Sequence, residues 1–579
     1  TLANGVLFTS GATESMYIGA TPGTLNAANY NTSLGYQAGD DITSGDENTL
    51  MGQGAGANVT TGGANTAMGR NAGFALTTQG NNTMVGSQAG QNTAASYNTL
   101  VGALAGYNNG GALGNFNNFF GFGAGQNIQG AAQKNVAIGV YAMYGNASNT
   151  SATASNVAIG HEAMKEIEGG YQNIGIGTEA LLNTTSGYRN IGIGFQALKS
   201  ATAAAYVIAI GYLAGDAQTT DTEGSIYIGA SAGSADYGTN RSLFIGFDAG
   251  NKNTTGGNNL AIGHKALEDN TTGIHNVVIG REAGKENTGN QNVALGTFAL
   301  YSSVAHYYNT AIGDGAMKGS TSGDRNVAVG TSAMMNDSAG TGGSNNVAVG
   351  FGTLRKNSDS GQVAVGSNSM NVNTTGEGNT AVGYNTLIAN TTGSYQTAIG
   401  YDALFSNTTG NYNTAVGYKA LYNNVDGDRN TAIGYQAMYS YEPADGAGGN
   451  TVLGDRAAYT MSTGHTNTML GYTVAYQFTT GERNVIIGNE AGYGANTANY
   501  NVLIGESAGY HASGMSSGVY IGRNAGNHVS GSDNTFIGTS AGIGQSAATH
   551  ATIGSVAIGK NAMYYNSTTN YCVAIGEAA

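Results

Sequence analysis

The chain has 579 residues with 34 acidic against 20 basic side chains, a formal charge of −14, and so offers no basic stripe to a nucleic acid. Gly accounts for 96 residues and Pro for only 2, which excludes collagen and Pro-rich linkers, and charged residues make up 9 %, too few for an ordinary disordered chain. A single cysteine, Cys572, rules out an intrachain disulfide framework, and no run of about 18 apolar residues is present to span a membrane as a helix.

The opening TLANGVLFTSG has neither the basic nor the long apolar region of a signal peptide. Together with a last segment that stops inside a repeat (CVAIGEAA), it reads as one of two cut ends. A degenerate first repeat, SMYIGATPG, places a glycine at Gly19, and NTSLGYQAG, ENTLMGQGAG and NTAMGRNAG follow with Gly35, Gly52 and Gly69. The series continues to Gly576 at spacings mostly of 16 to 18 residues, about 33 turns in all. It is cleanest from Asn379 to Met438, where NTAVGYNTL, QTAIGYDAL, NTAVGYKAL and NTAIGYQAM place glycines at Gly383, Gly400, Gly417 and Gly434. No composition break marks a linker, so residues 1–579 read as one continuous repeat array without a separate globular domain.

Each unit predicts two short strands and two turns. The first strand is the β-branched run, as in Thr397-Ala398-Ile399-Gly400-Tyr401. Alternation puts Thr397, Ile399 and Tyr401 on one face and Ala398 with Gly400 on the other. The branched residues Ile138, Ile159, Ile312, Val382, Ile399, Val416, Ile433 and Ile558 are expected to fill the inside of the coil, leaving the Ala/Gly face for close approach of another backbone. A second short strand is expected near Ala403–Leu404, and Asn407-Thr408-Thr409-Gly410 is turn chemistry. Gly, Asn and Thr are poor helix formers, so a helical reading fails. The fold class is therefore all-β, a repetitive parallel β-solenoid of about 17 residues per coil. Coils stacked at about 4.8 Å would give a rod roughly 160 Å long. One narrow coil buries little by itself, which predicts parallel association, with three chains hiding the Ala/Gly stripe.

Few residues suggest chemistry. The eight histidines (161, 264, 275, 306, 465, 511, 528 and 550) share no repeat position and no metal-ligand spacing, so they read as surface or turn residues. Cys572 is read at the small apolar position of the first strand. Glycine strings such as 52–56 and 121–125 imitate phosphate loops but have no helix to follow. The corners Gly323-Asp324-Arg325, Gly427-Asp428-Arg429 and Gly481-Glu482-Arg483 could hold an ion or simply form exposed pairs. No catalytic residue, metal site or cofactor is expected. Tyr384, Tyr401, Tyr418 and Tyr435 share one position in four successive coils and predict an aromatic ladder, which either stiffens the stack or meets sugar rings. Longer coils (102–121, 139–160, 330–350, 434–454, 538–559) place inserts on the outside. Among them Glu442, Pro443 and Asp445 form the candidate recognition loop. Sequons such as Asn183-Thr184-Thr185 and Asn407-Thr408-Thr409 follow from the turn chemistry.

NVAIG at 135–139, SNVAIG at 155–160, NNVAVG at 345–350 and SVAIG at 555–559 closely resemble the head repeat of trimeric autotransporter adhesins. The longer unit here, with its NTAIGYxAL wording, is similar to repeat arrays of phage tail fibres and large bacterial surface proteins. The resemblance implies a left-handed parallel β-roll in a parallel homotrimer. It also implies an extracellular or virion setting, and the shaft of a fibre serving surface attachment. The alternative is a bacterial surface adhesin that binds host or environmental surfaces, including cell-surface glycans, through its repeats. An ice-binding solenoid is the remote alternative, disfavoured because it needs a flat, regular Thr-x-Thr array, and the strands read Thr-Ala-Ile with Ile or Val expected inside. An enzyme is not expected, since no coil breaks pattern with catalytic residues.

Overall fold

The structure is a computed structural model. It describes all residues except 1–5, 9–14, 20–27, 108–112, 129, 146–152, 221–223, 238–240, 303–305, 321, 337–342, 444–445, 513, 545–549 and 566–569. It divides into two compact units, 1–291 and 292–579. In the first, strand Val6–Phe8 pairs antiparallel with Met16–Ile18. From there to Val277–Ile279 each coil contributes one three-residue strand, paired in parallel with the next coil's. The second unit repeats the scheme from Val293–Leu295 to Val573–Ile575, with one extra parallel pair, Val529–Ser530 with His550–Ala551. Register is in line, Thr380 beside Thr397, Thr414 and Thr431. No helix occurs among the described residues. The parallel β-solenoid with about 17 residues per turn is therefore the architecture of each unit.

The second strand expected near Ala403–Leu404 is a run of turns instead. Asp402 and Leu404 both take left-handed backbone, φ 53° and 52°, which breaks the alternation a strand needs. The coils still join there: the Asp402 N–H donates to Tyr384 O and the Leu404 N–H to Ala420 O, each at 3.0 Å. Stacking supplies these bonds coil after coil and offsets the roughly 1–2 kcal/mol that each left-handed side chain costs.

The inside and outside of the strand are the reverse of the expectation. Ala398 is fully buried and Ile399 is 40 % exposed. The same holds along the array: Ile138, Ile312 and Ile558 are exposed, and Ile159, Val382, Val416 and Ile433 sit half-buried on the same outward face. The reason is width. Between the strand and the turn wall facing it there is room for one large side chain, and Leu404 from the wall takes it, so the strand opposite presents alanine. The rule is reciprocal. Where the strand centre is large, as at Phe244, Tyr520 and Leu50, the turn wall carries Gly250, Gly526 and Gly56, and a Cβ added at any of the three would lie 2.7 Å from the facing side chain. Where the wall is large, the strand centre shrinks to Ala398 beside Leu404, or to Gly175 and Gly192, where a Cβ would come within 3.0 Å of Met164 and Leu181. Where both are small, as at Ser33 with Gly39 and Ala67 with Gly73, buried Ile42 and Leu76 from the next corner fill the space, as close packing demands.

The asparagine that precedes most strands forms a buried ladder. Asn430 donates its backbone N–H (2.9 Å) and its side-chain amide (3.1 Å) to Asn413 Oδ1, and Asn413 Nδ2 donates to Gly427 O at 2.7 Å. A second buried ladder runs through the N-T-T-G corners, Asn373, Asn390, Asn407 and Asn424, with amide-to-carbonyl bonds of 2.7 to 2.9 Å. The ladder amides inside a thin core are thereby satisfied, while the end oxygen Asn424 Oδ1 is left without a partner. Cys572 occupies the asparagine position, not the neighbouring strand position expected for it. Its N–H donates to Ser555 Oγ at 3.3 Å.

Candidate functional site

The repeat glycines fix the turn that starts the site. Gly383, Gly400, Gly417 and Gly434 have φ between 135° and 142°, a region open essentially to glycine alone. A Cβ on Gly400 would also sit 2.7 Å from the carbonyl carbon of Gly417 in the next coil. Each glycine turns the following tyrosine outward. Tyr384, Tyr401, Tyr418 and Tyr435 stack with ring centroids 5.0, 5.5 and 5.1 Å apart and planes within 22°, so the ladder expected from their shared position forms. The ring faces are spent on one another, and what the ladder offers solvent is its edges and phenol hydroxyls.

A second and longer ladder lies four residues further along each coil: Phe405, Tyr422, Tyr439, Tyr459, Tyr476, Tyr493 and Tyr510, stacked at 4.9 to 5.2 Å with planes within 12°. Sequence reasoning missed it, although an aromatic after Ala-Leu or its equivalent recurs at the repeat spacing from Phe405 onward. Between the ladders runs a polar row. Asn385 Nδ2 donates to Asp402 Oδ1 at 3.3 Å, and Lys419 Nζ lies 4.0 Å from Asp402 Oδ2. The Lys419 ammonium also sits 5.4 Å from the Tyr418 ring centre and 4.9 Å from that of Tyr422, bridging the two walls. Desolvation acts to lower its pKa, but the phenols of Tyr418, Tyr439 and Tyr422 outweigh this and hold it above the usual lysine range. Tyr401 is pushed up by desolvation and by the neighbouring Asp402 carboxylate. At neutral pH the Tyr401 phenol is therefore neutral, beside the Asp402–Lys419 pair.

The corner acids are occupied in joining coils. Asp428 Oδ1 accepts the Asn411 N–H at 2.7 Å and Asp324 Oδ1 the Tyr307 N–H at 3.0 Å. Their arginine neighbours extend side-chain stacks: Arg429 lies 5.7 Å from the Tyr412 ring centre, and Tyr412 stacks on Tyr395 at 5.3 Å. Glu482 pairs with Arg483 at 3.3 Å and with His465 at 2.8 Å. Among the described residues no group of three His, Cys, Asp or Glu side chains could hold a metal ion. Of the histidines expected at the surface, His306 is buried, while His264 stacks on Phe247 at 5.4 Å.

In the candidate recognition loop Glu442 is exposed and its N–H donates to Ser462 O at 2.9 Å. Pro443 is buried, so near Gly427 that a Cβ added there would lie 2.8 Å from its ring. Asp445 lies outside the described residues. Buried Tyr441 anchors this segment through a 2.9 Å bond from its hydroxyl to Ala447 O, and burial raises its phenol far above the ordinary value. Asn407 of the sequons is fully buried in its ladder, which closes it to glycosylation in the folded chain. No protein-family model matches the chain, and no curated protein matches it.

Proposed function

We propose that the chain is the shaft of an extracellular or virion fibre serving surface attachment, built as a left-handed β-roll in a parallel homotrimer. Its role is mechanical and not catalytic. One observation carries the reading. The outward face of the strands is aliphatic in coil after coil, in strict register, with Ile399 40 % and Leu470 41 % exposed. Apolar columns continued over many coils mark a surface that meets a partner. A second copy of the same chain presents the same columns at the same pitch, and the resemblance of the NVAIG and NTAIG motifs supports three copies. The expectation that the Ala/Gly face would be hidden between chains is replaced: the Thr/Val–Ile/Val face is the one to cover. Mass photometry of the chain should find three copies per particle. A monomer persisting at micromolar concentration would sink the proposal.

The second reading is an adhesin whose repeats bind a surface directly, and it is supported by the two aromatic ladders. The ice-binding alternative loses half of the objection raised against it, since Ile and Val lie outward beside Thr380, Thr397, Thr414 and Thr431, but the outward pair is Thr with Ile or Val and not the Thr-x-Thr array. Inhibition of ice recrystallisation by the chain would favour that alternative over the fibre.

A further inference from the structure

We infer that the polar strip between the two aromatic ladders over residues 383–439, termed the groove below, binds an extended, neutral β-1,4-linked polysaccharide laid along the stacking direction, one sugar per coil. The inference rests on the surface-attachment reading above and names the ligand class that reading leaves open. Three features converge on it. The first is period. Successive tyrosine rings lie 5.0 to 5.5 Å apart, close to half the two-hexose repeat of an extended β-1,4-linked chain, so every second sugar, with the one between turned over, meets the same environment. A periodic polymer on a periodic surface gains affinity by adding weak, identical contacts.

The second feature is the lining. One wall is Tyr384, Tyr401, Tyr418 and Tyr435, each between 38 % and 47 % exposed. The other is Phe405, Tyr422 and Tyr439, half-buried. Asn385, Lys419 and Gln436 form the row between them, Asn385 and Lys419 held by the buried Asp402, and supply amide and ammonium groups, both donors and acceptors, as sugar hydroxyls require. The third is charge. Asp402 and Lys419 lie 4.0 Å apart and balance each other, so the groove favours a neutral polymer over an anionic one. Because the ring faces are already stacked, the contact falls to the phenol hydroxyls and the polar row, and not to sugars lying on ring faces. That distinction makes the inference testable apart from any stiffening by the ladder.

The test is calorimetric titration of the full chain with cellohexaose and chitohexaose, with isomaltohexaose, whose α-1,6 links give a different repeat, as control. Binding of at least one β-1,4-linked hexamer and not of isomaltohexaose is expected. Tyr401→Phe with Tyr418→Phe keeps both stacks and removes two hydroxyls, and should weaken binding by about tenfold with melting unchanged. Equal binding of isomaltohexaose, wild-type affinity in the double Phe variant, or no binding of either β-1,4-linked hexamer overturns the inference. Mass photometry of the same samples separates the two proposals. A chain that associates without binding sugar defeats the groove alone, and one that binds sugar as a monomer defeats the fibre alone.

Discussion

Gly400 shows what a single residue does in this array. Its φ of 135° and the approach of Gly417 from the next coil each exclude a side chain. Gly400→Ala should therefore cost about 2 kcal/mol or more, read as faster amide exchange in the coils on either side. Asp216 makes a different argument. Burial raises its carboxyl above the ordinary range, against smaller lowering contributions from backbone N–H groups and Lys199. The folded chain thus holds the proton more tightly than the unfolded one, so ionisation of Asp216 opposes folding at neutral pH. The opposition lifts as pH falls through the raised pKa and is gone below the ordinary aspartate value, about 4. Asp216→Asn should melt higher than wild type near pH 7, and the difference should vanish below about pH 4. A difference that stays constant with pH would show that the carboxyl is not the cause. The recurrence of glycine was legible in the sequence because one position admits no other residue. The inward direction was not, because alternation separates two faces without saying which is inside.

At the scale of the coil, two devices hold the element together, and both can be broken and repaired. Asn413 joins its neighbours through its amide and carbonyl. Asn413→Ala removes the acceptor of the buried Asn430 N–H groups and leaves the Gly427 carbonyl only its 3.2 Å bond from Asn424 Nδ2, which should cost about 2 kcal/mol in chemical denaturation. Asn413→Gln should cost under about 1 kcal/mol, since Gln362 and Gln396 already serve as rungs whose oxygens accept from Asn379 and Asn413 at 3.1 and 3.0 Å. The core pair obeys volume. Phe536→Ala should cost about 3–5 kcal/mol through the cavity it opens. Adding Gly542→Leu should recover part of this loss, because φ at Gly542 is 63° and Leu404 holds the corresponding place at 52°. Additive losses in the double variant would refute the volume rule. This rule and the second tyrosine ladder were both readable from the chain, as paired choices such as Phe536 with Gly542 and Ala398 with Leu404. A consensus averages such pairs away. The left-handed turns at Asp402 and Leu404 were not readable, because neither residue type announces a positive φ and the conformation is imposed by stacking.

For the molecule as a whole, the reversed strand turns a stability argument into an association argument. Were Ile399 inside, Ile399→Asp would bury a charge and open the stack. With Ile399 outward and 40 % exposed, the aspartate meets water in a lone chain, and its direct effect on the coil should be within about 0.5 kcal/mol. In an assembly packed through this face the same change puts a carboxylate of every copy into an apolar interface beside its equivalents. Uncompensated burial of charge is worth several kcal/mol per site, enough to dissociate the particle. Ile399→Asp combined with Val416→Asp should therefore leave thermal melting of the dilute chain near wild type and convert the sedimenting species to monomer. A change at Asp402 or Lys419, on the groove, should leave sedimentation unaltered. If the double aspartate variant sediments like wild type, the aliphatic face is not where the copies meet. If it unfolds instead, the strand faces the way its alternation first suggested.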